Sequence, residues 1–286
     1  MKPRIDAHQH FWRYDPKRDT WITDFMSALR RDFLPEDLIA ELDRNQMDAS
    51  IAVQADQSED ETAFLLALAE RYPFIAAVVG WVDLRARNLP DRLQYYSQFE
   101  KLCGFRHIVQ SEPDDRYLLQ DEMVRGIGYL YQFGFTYDLL IYPKQMPAAL
   151  ELMELLPEQR FVIDHIAKPL IRAKEIASWT NHIRAMASNP LAYCKVSGLI
   201  TEADWHSWRP EQLKPYLDVV LEAFGTDRLL FGSDWPVCLL AGTYQRVKDL
   251  VVDYMSDLPT SEQEKVLGGN AERFYGLKVM THGSPA

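Results

Sequence analysis

R-I-D-A-H-Q-H-F, residues 4–11, is a short run that carries two histidines with one residue between them. Strand side chains alternate faces, so His8 and His10 are expected side by side, with Asp6 one step behind them. The run is the first of eight with the same character. The others are A-S-I-A-V-Q-A-D (49–56), I-A-A-V-V-G-W-V (75–82), G-F-R-H-I-V-Q (104–110), F-T-Y-D-L-L-I-Y (135–142), R-F-V-I-D-H-I-A (160–167), A-Y-C-K-V-S-G-L (192–199) and R-L-L-F-G-S-D-W (228–235). Most are near-continuous apolar runs, the pattern of strands buried on both faces of a parallel sheet.

Between these runs lie helical patterns. Residues 35–47 place Leu38, Ile39 and Leu42 at helical spacing behind Pro35, a residue suited to a first turn. Residues 59–71 bring Phe64, Leu65, Leu68 and Ala69 to one face. Further amphipathic stretches cover 90–101, 118–133, 146–157, 174–188, 211–224, 243–257 and 261–275. Eight strands, each followed by a helix, describe a single-domain (β/α)8 TIM barrel of the α/β class over 1–286. The competing open doubly wound sheet lacks its signature, since no G-x-G-x-x-G follows the first strand. Residues 12–33 then form a long insertion between the first strand and the first helix, placed to cover the active site. The polar tail 278–286 is expected to fray.

The chain has 286 residues, is 47% hydrophobic and carries a formal net charge of −11. That apolar content builds a sizeable core and argues against disorder. The acidic balance, without any long Lys/Arg run, argues against a nucleic-acid partner. No apolar stretch is long enough to span a bilayer, and no signal-peptide pattern is visible near Arg4 and Asp6. Cys103, Cys194 and Cys238 are odd in number and widely spaced, fitting neither a disulfide framework nor a zinc-cysteine motif. A reducing cytoplasm is the expected location. Oligomeric state is not readable.

In a barrel of this kind chemistry sits at the C-terminal ends of the strands. Those ends offer His8 and His10, then Gln54 and Asp56, then Arg106, His107, Gln110 and Glu112, then Tyr142. The last three offer Asp164, His165 and Lys168; Lys195 and Ser197; Ser233, Asp234 and Trp235. Arg106 and His107 are adjacent and face opposite ways, so one of them enters the pocket. The same alternation sets Asp164 against His165, with His165 taken as the inward one. Asp234 ends an apolar strand where a carboxylate has no packing purpose. Opposite His8 and His10 it can act in two ways. With a metal on the histidines it can ligate the ion. Without one it can serve as a general base toward water, while imidazoles and ammonium groups hold a polarised carbonyl oxygen.

I-D-A-H-Q-H-F-W, V-I-D-H-I-A-K-P, F-G-S-D-W-P and the late G-G-N-A-E-R-F-Y-G together resemble the amidohydrolase superfamily. The likeness spans essentially the whole chain and is nearest the branch of sugar lactonases and pyrone-dicarboxylate lactonases. It implies hydrolysis of a small-molecule lactone such as an L-fucono- or L-rhamnono-lactone, with Asp234 as base and His8, His10 and His165 arranging charge. Gln54, Arg106, Gln110, Tyr142, Lys195, Trp12 and Trp235 are the implied substrate contacts. The chain departs from the dinuclear members of the superfamily. Strand four offers no lysine, only Glu112 beyond it, and strand five has no histidine. The resemblance therefore implies one divalent metal, zinc, on His8, His10 and Asp234 with Glu112 as a further candidate ligand, or no metal at all. A metal-dependent non-oxidative decarboxylase shares H-x-H and the strand-eight aspartate, but its strand-five histidine is missing here. A barrel that binds a sugar acid without turnover is the third reading.

Overall fold

The computed structural model describes residues 2–277; the tail 278–286 lies outside the described residues. Its eight strands are β1 (Ile5–Gln9), β2 (Ala49–Val53), β3 (Ile75–Gly80), β4 (Leu102–His107), β5 (Thr136–Leu139), β6 (Phe161–Ile163), β7 (Ala192–Val196) and β8 (Leu229–Phe231). They pair in chain order and all in parallel. Beyond the end of β8 the ring meets β1 again. The Asp234 amide donates to the His8 carbonyl at 2.9 Å and the His10 amide to the Trp235 carbonyl at 2.7 Å. The sheet is the β-barrel of a (β/α)8 fold.

Strand alternation sorts the side chains into two apolar regions. Inward-facing Ile5, Ala7, Ile51, Val53, Ala77, Val79, Val162 and Leu230 fill the lower barrel. The opposite faces, with Ala52, Phe105, Tyr137, Phe161, Cys194 and Phe231, join the helices in the larger core. The helices include α1 (Pro35–Arg44), α2 (Glu59–Arg71), α3 (Leu89–Tyr96), α4 (Asp121–Gln132), α5 (Met146–Leu155) and α6 (Ala177–Ala187). The short α7 (Leu199–Glu202) precedes α8 (Pro210–Phe224) and α9 (Tyr244–Tyr254).

The last pattern, expected as one helix over 261–275, is instead broken. α10 (Thr260–Glu264) passes through a π-turn at Lys265–Gly269 into α11 (Asn270–Tyr275). At Gly268 a Cβ would lie 2.0 Å from the Pro3 carbonyl oxygen, so the chain must part here to pass β1. α11 then plugs the floor of the barrel with Phe274 and Tyr275.

The 12–33 insertion is a loop with a closed neck. Trp12 and Phe33 exchange both main-chain hydrogen bonds, at 3.0 and 2.9 Å. Inside the neck Trp12 packs edge-on against Phe33 and Trp21 and donates its indole N–H to the Arg31 carbonyl.

Candidate active site

The polar strand ends converge in tiers above the apolar floor. The lower tier is ionic. Lys195 is wholly buried and reaches Asp138, Asp164 at 3.0 Å and the His8 Nδ1 at 3.2 Å. Arg106 donates to Asp164 at 2.9 Å and to the Gln54 Oε1 at 2.9 Å. Two cations thus face two carboxylates, which makes this tier neutral. Burial works against the Lys195 charge, but Asp138 and Asp164 hold its pKa above the ordinary lysine value. Burial likewise opposes ionisation of Asp164, and Lys195, His8 and Arg106 overcome it to keep that carboxylate well below its usual range. Asp138 is pushed up to about 6, chiefly by burial, with Lys195 opposing. Its oxygens also accept from the Tyr275 hydroxyl rising from the floor, at 3.1 and 3.3 Å.

The upper tier centres on Asp234. Its Oδ1 lies 3.5 Å from the His10 Nε2 and 3.9 Å from the Nε2 of both His8 and His165. Each imidazole is held from behind through its other nitrogen. His10 Nδ1–H donates to the Val53 carbonyl at 2.7 Å; His8 Nδ1 meets Asp164 at 3.3 Å; His165 Nδ1 meets the Ser197 hydroxyl at 2.9 Å. Such partners at the rear fix ring orientation and tautomer. Burial drives the pKa of His8 and of His165 well below the ordinary histidine value, against Asp164 and Asp234 respectively. Burial pushes Asp234 up, yet His165 and His10 bring it below its usual value, so it stands ionised at neutral pH.

Local backbone irregularities aim these groups. Between Asp6 and Gln9, β1 advances three residues while β2 advances two, a bulge that shifts the alternation. It turns His8 and His10 inward and leaves Asp6 on the β1–β8 seam. Asp6 is therefore not behind the histidines as strict alternation expects; it accepts from the Ser233 amide at 2.9 Å and the Ser233 hydroxyl at 2.6 Å. Burial lifts its pKa to about 6. After β6, His165, Ile166, Ala167 and Lys168 all adopt left-handed backbone, with φ of 52, 48, 57 and 45°. The expectation that Asp164 and His165 point apart fails at this turn. Strand alternation stops at Ile163, and both side chains reach the interior. Asp164 is the site residue that the strand reading passed over.

Other expected contacts divide by burial. Gln54 is fully buried and spends its amide on Arg106, and Lys195 lies beneath the imidazoles rather than beside the mouth. Trp235 packs on Phe11 and Phe33. Trp12 borders a cavity of about 320 Å3 shared with Arg18, Asp56, Glu61 and Phe64. Gln110 keeps a buried Oε1 without a partner among the described residues. Tyr142 is half-buried, with the Lys168 ammonium 5.6 Å from its ring centre. Arg106, not His107, enters the barrel. His107 instead stacks on Tyr117, accepts from the Trp81 indole and donates to Glu112 at 2.6 Å. That pairing removes Glu112 from the candidate metal ligands: its carboxylate is committed to an imidazole on the outward side of β4.

The remaining donors do fit a cation. His8, His10 and Asp234 each offer a ligand atom, all within 4.8 Å of one another. With His10 protonated on Nδ1 toward Val53, its Nε2 lone pair faces the His8 Nε2 at 3.2 Å, while His8 Nδ1 sits between the Asp164 carboxylate at 3.3 Å and the Lys195 ammonium at 3.2 Å. Two lone pairs at that distance repel unless a proton or a metal ion stands between them. Arg106 Nη1, 3.3 Å from the same His8 Nε2, is the competing partner.

A parallel eight-stranded barrel with an H-x-H pair on its first strand and an aspartate after its eighth defines a class, and the family model described as amidohydrolase matches residues 5–277. The chain belongs to the amidohydrolase family. It is 42% identical to an L-fucono-1,5-lactonase of Burkholderia multivorans over 285 residues, 96% of each chain. It is 36% identical to an L-fucono-1,5-lactonase of Burkholderia ambifaria, over 97% of each. A crystal structure of an amidohydrolase from Burkholderia multivorans with bound zinc superposes with a TM-score of 0.94 at 41% identity, covering 96% of this chain and all of that one. Among the described residues no helix is long and apolar enough to cross a membrane.

Proposed function

We propose that this protein is a lactonase that opens a sugar-acid 1,5-lactone of the L-fucono type to its hydroxy acid. The observation that carries the reading is the position of Asp234, an ionised carboxylate ringed by three imidazole Nε2 atoms. Water adds to the lactone carbonyl as Asp234 takes its proton. His165, with Ser197 donating to Nδ1, presents Nε2–H toward the developing oxyanion. Arg106 and Lys195, paired with Asp138 and Asp164, hold the imidazoles from beneath without touching substrate. His8, His10 and Asp234 would hold a single divalent ion, zinc being the one a relative binds. Bound there, it would supply Lewis-acid polarisation of the carbonyl. The ring ester needs less electrophilic help than an amide, which suits a site with few ligands. The 12–33 loop would shield this chemistry from bulk water. Three free thiols suit a reducing cytoplasm.

The test is acid release from L-fucono-1,5-lactone, followed with a pH indicator, before and after chelation. Asp234→Asn is expected to lower the rate by about 100- to 10,000-fold. Activity that survives chelation assigns His8 to Arg106; activity that vanishes and returns with zinc assigns it to the ion. If the zinc-loaded protein opens no aldonolactone, the reading falls, and release of carbon dioxide from an aromatic acid would put decarboxylation in its place.

A further inference from the structure

Three consecutive strand ends, those after β5, β6 and β7, bring together a group of side chains that the chemistry above leaves unused. Lys168 closes the left-handed turn, Glu202 ends α7, and Tyr142 follows β5. The Lys168 ammonium lies 3.4 Å from the Glu202 Oε1, and both side chains are more than four-fifths buried. An ammonium has three donors and a carboxylate about four acceptor positions. Among the described residues this pair shares one long contact and makes no other side-chain hydrogen bond. Charges that reach solvent by only 16 and 17% of their side chains, with that much spare capacity, are placed to exchange water for the polar groups of a ligand. The Lys168 amide donates to the His165 carbonyl at 2.8 Å, so the pair stands at the same end of the barrel as the reacting centre, three residues along the chain from His165.

We infer that Lys168, Glu202 and Tyr142 form the subsite that grips the ring hydroxyls of a polyhydroxylated lactone. Glu202 accepts from one hydroxyl while Lys168 donates to its neighbour, and the Tyr142 ring faces the C–H side of the sugar. The pair therefore decides which lactone is opened, not how. This rests on the lactonase reading for the identity of the ring.

The test compares L-fucono-1,5-lactone with δ-valerolactone, the same ring without hydroxyls, in wild type, Glu202→Gln, and the double variant Lys168→Met/Glu202→Gln, which leaves no lone buried charge. Loss of the hydroxyl contacts is expected to lower kcat/KM for the hydroxylated lactone by about 10- to 100-fold, mainly through KM. The loss on δ-valerolactone should be at least about tenfold smaller, because that ring has no hydroxyls to give up. An equal loss on both rings, or no loss on either, overturns the inference. If wild type opens neither ring, the lactonase reading has failed, and calorimetry with the corresponding hydroxylated lactam still decides the subsite. At least tenfold weaker binding to the variants upholds it, and equal affinity refutes it.

Discussion

At Gly198 a missing side chain makes room for the His165 ring. A Cβ there would lie 2.6 Å from the His165 Nδ1, and φ is +63°. Gly198→Ala should displace the imidazole from Ser197 and lower lactone kcat/KM by about 100-fold, the penalty of an ångström-scale misplacement. Retained activity would mean the ring can relax. Glu61 carries a different prediction. Burial raises its carboxyl to about 7, against hydrogen bonds from the Ala55 and Asp56 amides. The folded carboxyl then holds a proton between roughly pH 4.5 and 7 that the unfolded chain has released, so stability falls as pH rises through that window. Glu61→Gln removes a term on the order of 3 kcal/mol at full extent. The difference in Tm from wild type should move in the variant's favour from pH 5 to pH 8; parallel Tm curves would refute this. His8, His10, His165 and Asp234 were legible as strand-end residues because a polar group on an apolar strand stands out. Glu61 was not, since only its burial distinguishes it from the acidic residues around it on the first turn of α2.

The left-handed turn 165–168 is the element that sequence alone could not announce. Positive φ is ordinarily marked by glycine or asparagine, and D-H-I-A-K contains neither. Four such residues cost about 4–8 kcal/mol against ordinary backbone. Tertiary contacts offset that cost: Ile166 and Ala167 are fully buried, and the Trp179 indole donates to the Ile166 carbonyl at 2.8 Å. Trp179→Phe leaves that carbonyl buried without its donor. The expected loss is about 1–3 kcal/mol of stability in urea unfolding, with a fall in lactonase rate as His165 loses its support. Unchanged stability would show that the turn holds by itself. The β1 bulge was equally hidden. D-A-H-Q-H fits plain alternation as text, and only the pairing with β2 reveals the extra residue. Where local pattern governs, as in the eight apolar runs and the helices between them, the reading carried over to the structure. Where the neighbouring strand or helix dictates the backbone, it did not.

Across the whole molecule the ionic tier links floor to mouth. Tyr275, from the last helix, bonds Asp138; Asp138 bonds Lys195; Lys195 reaches His8. Tyr275→Phe removes one donor from a buried carboxylate and is expected to cost about 1–3 kcal/mol, read in urea unfolding, while preserving the apolar plug. A variant as stable as wild type would mean Lys195 alone satisfies Asp138. The barrel order was readable from the sequence; the neutral charge balance inside it was not, because its four members lie on β4, on β5, just past β6 and on β7, and only closure brings them together. That closure also has a consequence for biosynthesis. Asp6 grips Ser233 across 227 positions of chain, and Asp234 beside Ser233 joins histidines of the first strand. A nascent chain on the ribosome therefore carries His8 and His10 without that carboxylate until the eighth strand has been made. On the proposed chemistry, a message cut short before that point yields a chain that opens no lactone.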